Sequence, residues 1–244
     1  MAETEKGKEK TIIQVKNLYK IYRVGESKVY ALNGVDFSLN KGEFCAVVGP
    51  SGSGKSTLLN MMAGLEKPTK GEIIIAGTHI EKMTESQLVT FRRQNVGFIF
   101  QSYNLIKTLN AVENVALPLS FRGVGKKERT EKAKQYLKLV GLEKQMDRMA
   151  NEMSGGQQQR VGIARALAVN PRIIFADEPT GNLDSKTTKE VLKLMRRIVR
   201  EQNQTLIMVT HDNYLAGFAD KQIHIVDGKV MKIEEQNHDD EEEL

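Results

Sequence analysis

A glycine-rich stretch close to residue 50 has the composition of a phosphate-binding loop. Residues 49–57 read GPSGSGKST, which fits a glycine, four variable residues, a second glycine, lysine and serine. Glycines allow the backbone to approach phosphate oxygens, and the N–H groups at a helix start attract anions. Lys55 can reach the β- and γ-phosphates, Ser56 can bind Mg²⁺ and Thr57 can donate to an α-phosphate oxygen. We therefore assign nucleotide binding to Gly49, Pro50, Ser51, Gly52, Ser53, Gly54, Lys55, Ser56 and Thr57.

Two adjacent acids follow a short apolar run and supply the second half of a nucleotide site. Asp177 and Glu178 come directly after RIIFA. A strand of this kind should deliver Asp177 to the carboxyl edge of a sheet, where open α/β folds bind ligands. One carboxylate can then hold the metal while the other polarises water. Glu178 taken alone could also be a solvated surface acid.

The loop by itself leaves the substrate open. The sequence NKGE at residues 40–43 lacks the aspartate of the N-K-x-D element that reads guanine, and it precedes the loop. A guanine-specific site is therefore not indicated. A small-molecule kinase remains compatible with the loop alone.

A second glycine-backed helix start follows about a hundred residues later. Residues 153–160 read MSGGQQQR, and the residues after Gly156 have helical spacing. Ser154 is a favourable N-cap, so free N–H groups and a permissive backbone could hold a γ-phosphate here. On Ser-Gly-Gly alone, an ordinary capped helix is the simpler interpretation.

The elements around these stretches predict an α/β fold. Short apolar runs such as FCAVV, VGFIF, RIIFA and TLIMV predict buried strands, and they alternate with helical patterns, which favours a mainly parallel sheet. We expect a helix from Lys55 to about Gly64 and another over residues 185–202. A third helix should begin after Thr84, which forms a capping pattern with Gln87. The opening runs IIQVKNLYKIYRV and YALNGVDFSL predict an antiparallel patch, GEIIIAG a further strand, and KQIHIVDGKVMKI a closing hairpin.

The chain divides into one domain with two flanks. Residues 1–10 and the acidic residues 234–244 are expected to be disordered, and residues 11–233 to form a single domain. Within it, residues from about 102 to 158 have helical patterns and little strand signal, which predicts a helical insert.

Bulk composition restricts the class of protein further. No apolar run approaches the roughly 20 residues that span a bilayer, and the charged N-terminus lacks a signal-peptide pattern. The only cysteine, Cys45, lies in an apolar run, so we expect a buried thiol and a reducing compartment. The net charge of +5 includes seven acids in the last eleven residues. The rest is thus strongly basic, which suits nucleotides, nucleic acid or an anionic membrane surface, or is simply a solvated surface.

Five motifs in a fixed order resemble the nucleotide-binding domains of ATP-binding-cassette (ABC) transporters. They are the loop at 49–57, Gln101 after VGFIF, SGGQ, FADEPTGNLD and VTHD. The resemblance extends over about residues 12–233 and is strongest to the branch of lipoprotein release, macrolide export and antimicrobial-peptide resistance. Met153 departs from the leucine that is more common in the family. The resemblance implies a P-loop NTPase (RecA-like) core with an antiparallel β subdomain and a helical subdomain.

The resemblance also implies roles for residues that spacing alone does not assign. Gln101 should contact Mg²⁺ and the attacking water, Asp177 should hold Mg²⁺ with Ser56, and Glu178 should be the general base. His211 should contact the γ-phosphate. Tyr22 should stack on adenine, with Tyr19 and Tyr30 as nearby alternatives.

In this family two copies pair head to tail around two ATP molecules. The nucleotide on one copy's Lys55 loop is held by the other copy's second helix start. Asp184 should lie at this contact. The residues that should meet the partner's nucleotide are Ser154, Gly155, Gly156 and Gln157.

The resemblance implies an ATPase that works with a membrane protein. It should dock on an integral membrane permease at the cytoplasmic face of the membrane, through the region after Gln101, and drive export or membrane extraction of peptide, lipoprotein or drug. A cassette that signals through its permease without transport stays open. Cassettes that act on DNA or ribosomes usually have two cassettes or a long coiled-coil insertion, which this sequence lacks, so no nucleic-acid partner is expected.

Overall fold

The structure, a computed structural model, describes residues 11–236. The predicted disorder of residues 1–10 and of 237–244 lies outside the described residues. The start of the predicted acidic tail is wrong by two residues. Glu234 and Glu235 belong to the last strand, where they pair with Gln222 and Lys221.

A six-stranded sheet forms the centre of the molecule, in the order β10-β9-β3-β8-β7-β6. The five strands from β9 to β6 are parallel, and β10 is antiparallel to β9. This confirms the predicted mainly parallel sheet and the closing hairpin. The strands are β3 (Phe44–Val48), β6 (Val96–Phe100), β7 (Ile173–Asp177), β8 (Thr205–Thr210), β9 (Lys221–Val226) and β10 (Lys229–Glu235).

A second, antiparallel sheet has the order β2-β1-β4-β5 and lies at the start of the chain. Its strands are β1 (Thr11–Val24), β2 (Ser27–Asn40), β4 (Lys70–Ile75) and β5 (Thr78–His79). The predicted strand GEIIIAG thus joins this sheet and not the parallel one, since Ile73 pairs with Val15. Its apolar sequence is compatible with either sheet, so the pattern could not decide between them.

Within residues 11–236, seven α-helices connect these strands. They are α1 (Lys55–Met62), α2 (Glu85–Asn95), α3 (Ala111–Phe121), α4 (Lys126–Leu139), α5 (Gly155–Ala168), α6 (Ser185–Gln202) and α7 (Asn213–Ala216). The capping box that the sequence predicted at Thr84 and Gln87 is present at the start of α2. Helices α3 and α4 form the predicted insert and pack against α5.

Two apolar cores lie on the two faces of the parallel sheet. Successive side chains of a strand point to opposite faces, and β3 shows this clearly. Phe44 and Ala46 belong to the core shared with α3 to α6, whereas Cys45 and Val47 belong to the core shared with α1 and the antiparallel sheet. Burial raises the pKa of the Cys45 thiol, which keeps it protonated and unreactive.

The topology brings the candidate residues to one edge. Because parallel strands end at the same edge of a sheet, the segments that follow β3, β6, β7 and β8 are neighbours. These segments begin with Gly49, Gln101, Glu178 and His211.

The buried side-chain amide of Asn114, on α3, forms hydrogen bonds with the loop after Gln101. Asn114 is 1% exposed, and its Nδ2 donates to the carbonyl oxygens of Ile106, Leu109 and Asn110 at 3.0–3.1 Å. Its Oδ1 accepts from the backbone N–H of Ile106 at 2.8 Å. One side chain thus satisfies four polar groups of a loop that has little regular structure.

We expect Asn114→Ala to lower the free energy of unfolding by about 1–3 kcal/mol, because buried backbone groups lose their partners. Chemical denaturation measures the change. Lys107→Ala in the same loop is the control, since Lys107 is exposed, and it should change stability by less than about 0.5 kcal/mol. Equal effects of the two substitutions would contradict the role given to Asn114.

Candidate functional site

The loop between β3 and α1 forms a cradle whose geometry depends on glycine. Gly54 has φ of 99°, and a Cβ there would lie 2.2 Å from the carbonyl oxygen of Ala31. No other residue fits this position without displacing the backbone. Gly54 has no side chain that could cap α1, so the N–H groups of the first helical turn stay free to face the cradle.

Lys55 is a buried cation at the floor of this cradle. It is 6% exposed, and its Nζ donates to the carbonyl oxygen of Pro50 at 2.8 Å. Burial lowers the pKa of Lys55, while the charges of Glu178 and Asp177 act in the opposite direction. A cation in such a low-dielectric position interacts strongly with an anion that enters the cradle.

Ser56 and Asp177 offer two oxygen ligands beside the cradle. The Ser56 hydroxyl donates to Oδ1 of Asp177, with 3.4 Å between the oxygens. Burial raises the pKa of Asp177, and the neighbouring Glu178 raises it further, against the effects of Ser56 and Lys55. Mg²⁺ typically binds one or two protein oxygens and completes its shell with phosphate and water. This pair fits that requirement.

Glu178 and His211 form the opposite wall. Nδ1 of His211 lies 2.9 Å from Oε1 of Glu178, since β7 and β8 are adjacent. Glu178 has φ of 42°, a left-handed conformation that is uncommon for this residue type. Its backbone N–H donates to the carbonyl oxygen of Val209, which fixes this sharp turn at the strand end.

The cradle and this pair enclose one cavity of about 600 Å³. Its volume suits a nucleotide-sized ligand. Glu178 and His211, which were predicted from the sequence, line it, and so does Ala31, which the sequence did not indicate. Most of the predicted loop residues line it as well. The other predicted residues that line it are Pro50, Ser51, Gly52, Gly54, Lys55, Ser56 and Thr57.

Gln101 is not among the residues that line the cavity. Its side chain lies against Gly181, where a Cβ would be 2.6 Å from Nε2. The Asn182 amide donates to the Gln101 carbonyl at 3.0 Å. The predicted contact of Gln101 with a metal stays a prediction.

Tyr22 lies at the rim of the cradle. Its hydroxyl donates to Glu66 at 2.9 Å, and burial and Glu66 raise the pKa of Tyr22, whereas a hydrogen bond with Thr57 lowers it. The contact with Thr57 places Tyr22 beside the predicted loop. Of the alternatives, Tyr19 approaches Gly34, whereas Tyr30 pairs with Ile21 and thus lies close to Tyr22 on the same sheet.

The second glycine stretch forms the expected helix start. Ser154 is the N-cap of α5, its Oγ accepts from the N–H of Gln157, and Oε1 of Gln157 accepts from the N–H of Ser154. Gly156 also has a packing role that the sequence did not reveal, since a Cβ there would lie 2.4 Å from Cγ2 of Thr187. Nothing in the spacing of the motif could have identified that neighbour.

Asp184 belongs to the same surface. It caps α6 by accepting from the N–H groups of Lys186 and Thr187, and its Oδ2 accepts from the Thr187 hydroxyl at 2.6 Å. We call Ser154, Gly155, Gly156, Gln157 and Asp184 the second patch. None of these residues lines the cradle cavity of the chain that carries them.

Two residues that the sequence did not indicate connect the Gln101 loop to α5 and to the segment after β7. The Arg165 guanidinium donates to the carbonyl oxygens of Tyr103, at 2.8 Å, and Asn104. The Tyr103 hydroxyl donates to the carbonyl oxygen of Asn182, at 3.4 Å. A lone arginine at the end of a helical pattern gives no signal of such a partner.

The pKa values of the two aspartates of the site should be shifted in opposite directions. We expect the pKa of Asp177 to lie above the ordinary value for aspartate because of burial, and that of Asp184 below it because of its hydrogen bonds with Thr187. As pH falls, Asp177 should therefore take up its proton first. Carboxyl ¹³C shifts in a pH titration measure both, and the reverse order would contradict the described environments.

Three comparisons with known proteins agree on the family. Residues 32–181 match the family model for "ABC transporter". An uncharacterised ABC transporter ATP-binding protein of Thermotoga maritima is 47% identical over 92% of this chain and 96% of its own length. A macrolide export ATP-binding/permease protein, MacB, of Chlorobium phaeobacteroides is 43% identical over 91% of this chain, which corresponds to 34% of that longer protein.

A solved structure has the same fold. It is a dimeric, post-hydrolysis state of the ATP-binding cassette MJ0796 of Methanocaldococcus jannaschii, bound to ADP and Pi. The TM-score is 0.84 at 43% identity, over 93% of this chain and 99% of that chain. The predicted P-loop NTPase core is thereby confirmed, and so is the resemblance to the branch that includes macrolide export. The chain belongs to the ABC transporter family, in which it is an ATPase that forms the ATP-binding subunit.

Proposed function

We propose that this subunit binds Mg-ATP in the cradle cavity and hydrolyses it with water. The observation that carries this proposal is the cavity itself, in which Lys55 and Ser56 face Glu178 and His211. The cradle N–H groups and Lys55 bind the phosphates, and Tyr22 at the rim stacks on adenine. Residues 11–235 form the single nucleotide-binding domain, with a helical subdomain over about 102–158.

Glu178 is the general base in this proposal. Water attacks the γ-phosphorus, the bond from that phosphorus to the bridging oxygen breaks, and the proton of the water passes to the Glu178 carboxylate. His211, 2.9 Å from Glu178, orients that carboxylate and contacts the γ-phosphate. Ser56, Asp177 and Gln101 would hold Mg²⁺, which would neutralise charge on the phosphates. Gln101 begins the loop that leads into the helical subdomain, so in this proposal it reports there whether nucleotide is bound.

Two copies complete each site. The second patch has the N–H groups of a capped helix start, yet it does not line its own cavity. A head-to-tail homodimer gives these groups a ligand, because the patch of one copy then covers the nucleotide on the Lys55 loop of the other. The dimeric state of the related cassette MJ0796 supports this arrangement.

We expect Glu178→Gln to bind ATP normally and to lower kcat by roughly 10²–10⁴-fold, because the general base is lost. Bound ATP should then persist at the contact, so the variant should elute as a dimer with Mg-ATP on size-exclusion chromatography. Lys55→Ala in the Glu178→Gln background is the control and should stay monomeric. A monomeric Glu178→Gln variant at saturating ATP would contradict the proposed dimer.

We propose further that the dimer drives an integral membrane permease at the cytoplasmic face of the membrane. Residues 11–236 contain no helix with the length and apolar character that a membrane span requires. The segment from Ser102 to Phe121 has exposed apolar side chains, with Ile106 at 42% and Phe121 at 69% exposure. In this proposal a helix of the permease packs against them. The proposed cargo is peptide, lipoprotein or drug, because the chain is similar to the branch of the family that includes the macrolide export protein MacB.

Substitution of Ile106 and Phe121 by Asp should reduce co-purification with the permease encoded beside this chain at least tenfold. The expected loss follows from placing charge in an apolar contact. Met231→Asp is the matched control, because Met231 is an exposed apolar residue on β10, at 65% exposure. Unchanged recovery of the permease with both substitutions would exclude this segment as the contact.

A further inference from the structure

The side chain of Tyr22 is held by two charged residues outside the cradle. The Tyr22 hydroxyl donates to the Glu66 carboxylate, whose two oxygens both lie 2.9 Å away. Nζ of Lys20 lies 2.8 Å from Oε1 of the same carboxylate and 5.2 Å from the centroid of the Tyr22 ring. One carboxylate thus binds both an ammonium and the phenol, and the ammonium is within cation–π distance of the ring. We call Lys20, Tyr22 and Glu66 the Tyr22 cluster.

The backbone that carries Glu66 is fixed on both sides. Glu66 lies in the segment between α1 and β4. Just before it, the Leu65 N–H donates to the carbonyl oxygen of Asn60 in α1, at 2.8 Å. Just after it, the Thr69 N–H donates to the carbonyl oxygen of Tyr19 in β1, at 2.8 Å. The segment therefore connects the helix that begins at the phosphate-binding loop to the strand that carries Tyr22.

Partial burial strengthens the charged pair and leaves the ring accessible. The side chains of Lys20 and Glu66 are only 15% and 30% exposed, so salt screens their contact less than it screens an exposed pair. Nζ of Lys20 also donates to the carbonyl oxygen of Lys67 at 2.8 Å. Tyr22 itself is 37% exposed. Its hydroxyl end is thus fixed while its ring can still meet a ligand.

We propose that Glu66, neutralised by Lys20, is a positioning residue that holds the Tyr22 ring ready for the base of ATP. This inference rests on the proposed function, in which Tyr22 stacks on adenine. A side chain that must be ordered on binding reduces affinity, and a ring that is already held avoids that cost. Because Glu66 acts through the ring, its contribution should appear with a ligand that has a base and be absent with a ligand of phosphates alone.

The test compares the ATPase kinetics of Glu66→Ala with those of the parent chain. We expect KM for ATP to rise about threefold to tenfold, the range for ordering one side chain on binding. The value of kcat should change little, because Glu66 is not among the residues that line the cradle cavity. Loss of a carboxylate near a site for polyanions would by charge alone strengthen ATP binding, so the expected weakening cannot be a charge effect.

Two controls accompany this comparison. Inorganic tripolyphosphate, which has no base, should inhibit Glu66→Ala at least as strongly as it inhibits the parent chain. Glu26→Ala removes the same charge from the exposed turn between β1 and β2 and should not raise KM for ATP. Weaker inhibition of Glu66→Ala by tripolyphosphate would show a general defect of the site and would overturn the proposal.

Tyr22→Phe keeps the ring, removes the hydroxyl and shows whether Glu66 acts through Tyr22. Tyr22→Phe should raise KM for ATP by about the same factor as Glu66→Ala, and the double variant by no more than either single one. Glu66→Gln keeps an acceptor for the hydroxyl, so it should raise KM less than Glu66→Ala does. Increases that add in the double variant would show that Glu66 acts independently of the hydroxyl, which contradicts the positioning role.

Tyr22→Ala separates failure of this inference from failure of the proposed adenine contact. If Tyr22→Ala raises KM for ATP and Glu66→Ala does not, the positioning role is wrong and the adenine contact stands. If neither substitution changes KM for ATP, both are wrong.

Discussion

The burial of the Lys55 ammonium is the constraint on which the rest of the site depends. A cation at 6% exposure is costly unless charged or polar groups compensate it. One carbonyl oxygen, that of Pro50, accepts from Nζ, and two carboxylates act on it from a greater distance. Entry of a triphosphate supplies the missing counter-charge. The cradle is therefore built for an anion before any anion is present.

The same burial connects Lys55 to the two acids across the cavity. Burial and mutual repulsion both raise the pKa of Asp177, so the pair of acids is costly in its ionised form without a cation. A divalent metal, which we propose at Ser56 and Asp177, would offset that repulsion together with the lysine. Lys55 and Ser56 lie in the first turn of α1 and the two acids at the end of β7, so two elements of the parallel core position the groups that would bind metal and phosphate.

Much of this could be predicted from the sequence, for physical reasons that differ between elements. The short apolar strands and the capping boxes are local patterns, and Ser154 and Thr84 form the caps that the pattern indicated. Which sheet GEIIIAG joins depends on residues far away in the sequence, and so does the contact of Gly156 with Thr187. The left-handed turn at Glu178 and the position of Gln101 against Gly181 depend on neighbouring strands, so no spacing rule could give them.

The central claim is that one nucleotide is held by two chains. It is tested most directly by a crystal structure of the Glu178→Gln variant with Mg-ATP, in which the distance from the Ser154 hydroxyl to the γ-phosphate is measured. We expect a hydrogen bond of about 2.7–3.2 Å, from Ser154 of one copy to the nucleotide on Lys55 of the other. A nucleotide-loaded pair in which Ser154 lies far from every γ-phosphate, or contacts the nucleotide of its own chain, would contradict it.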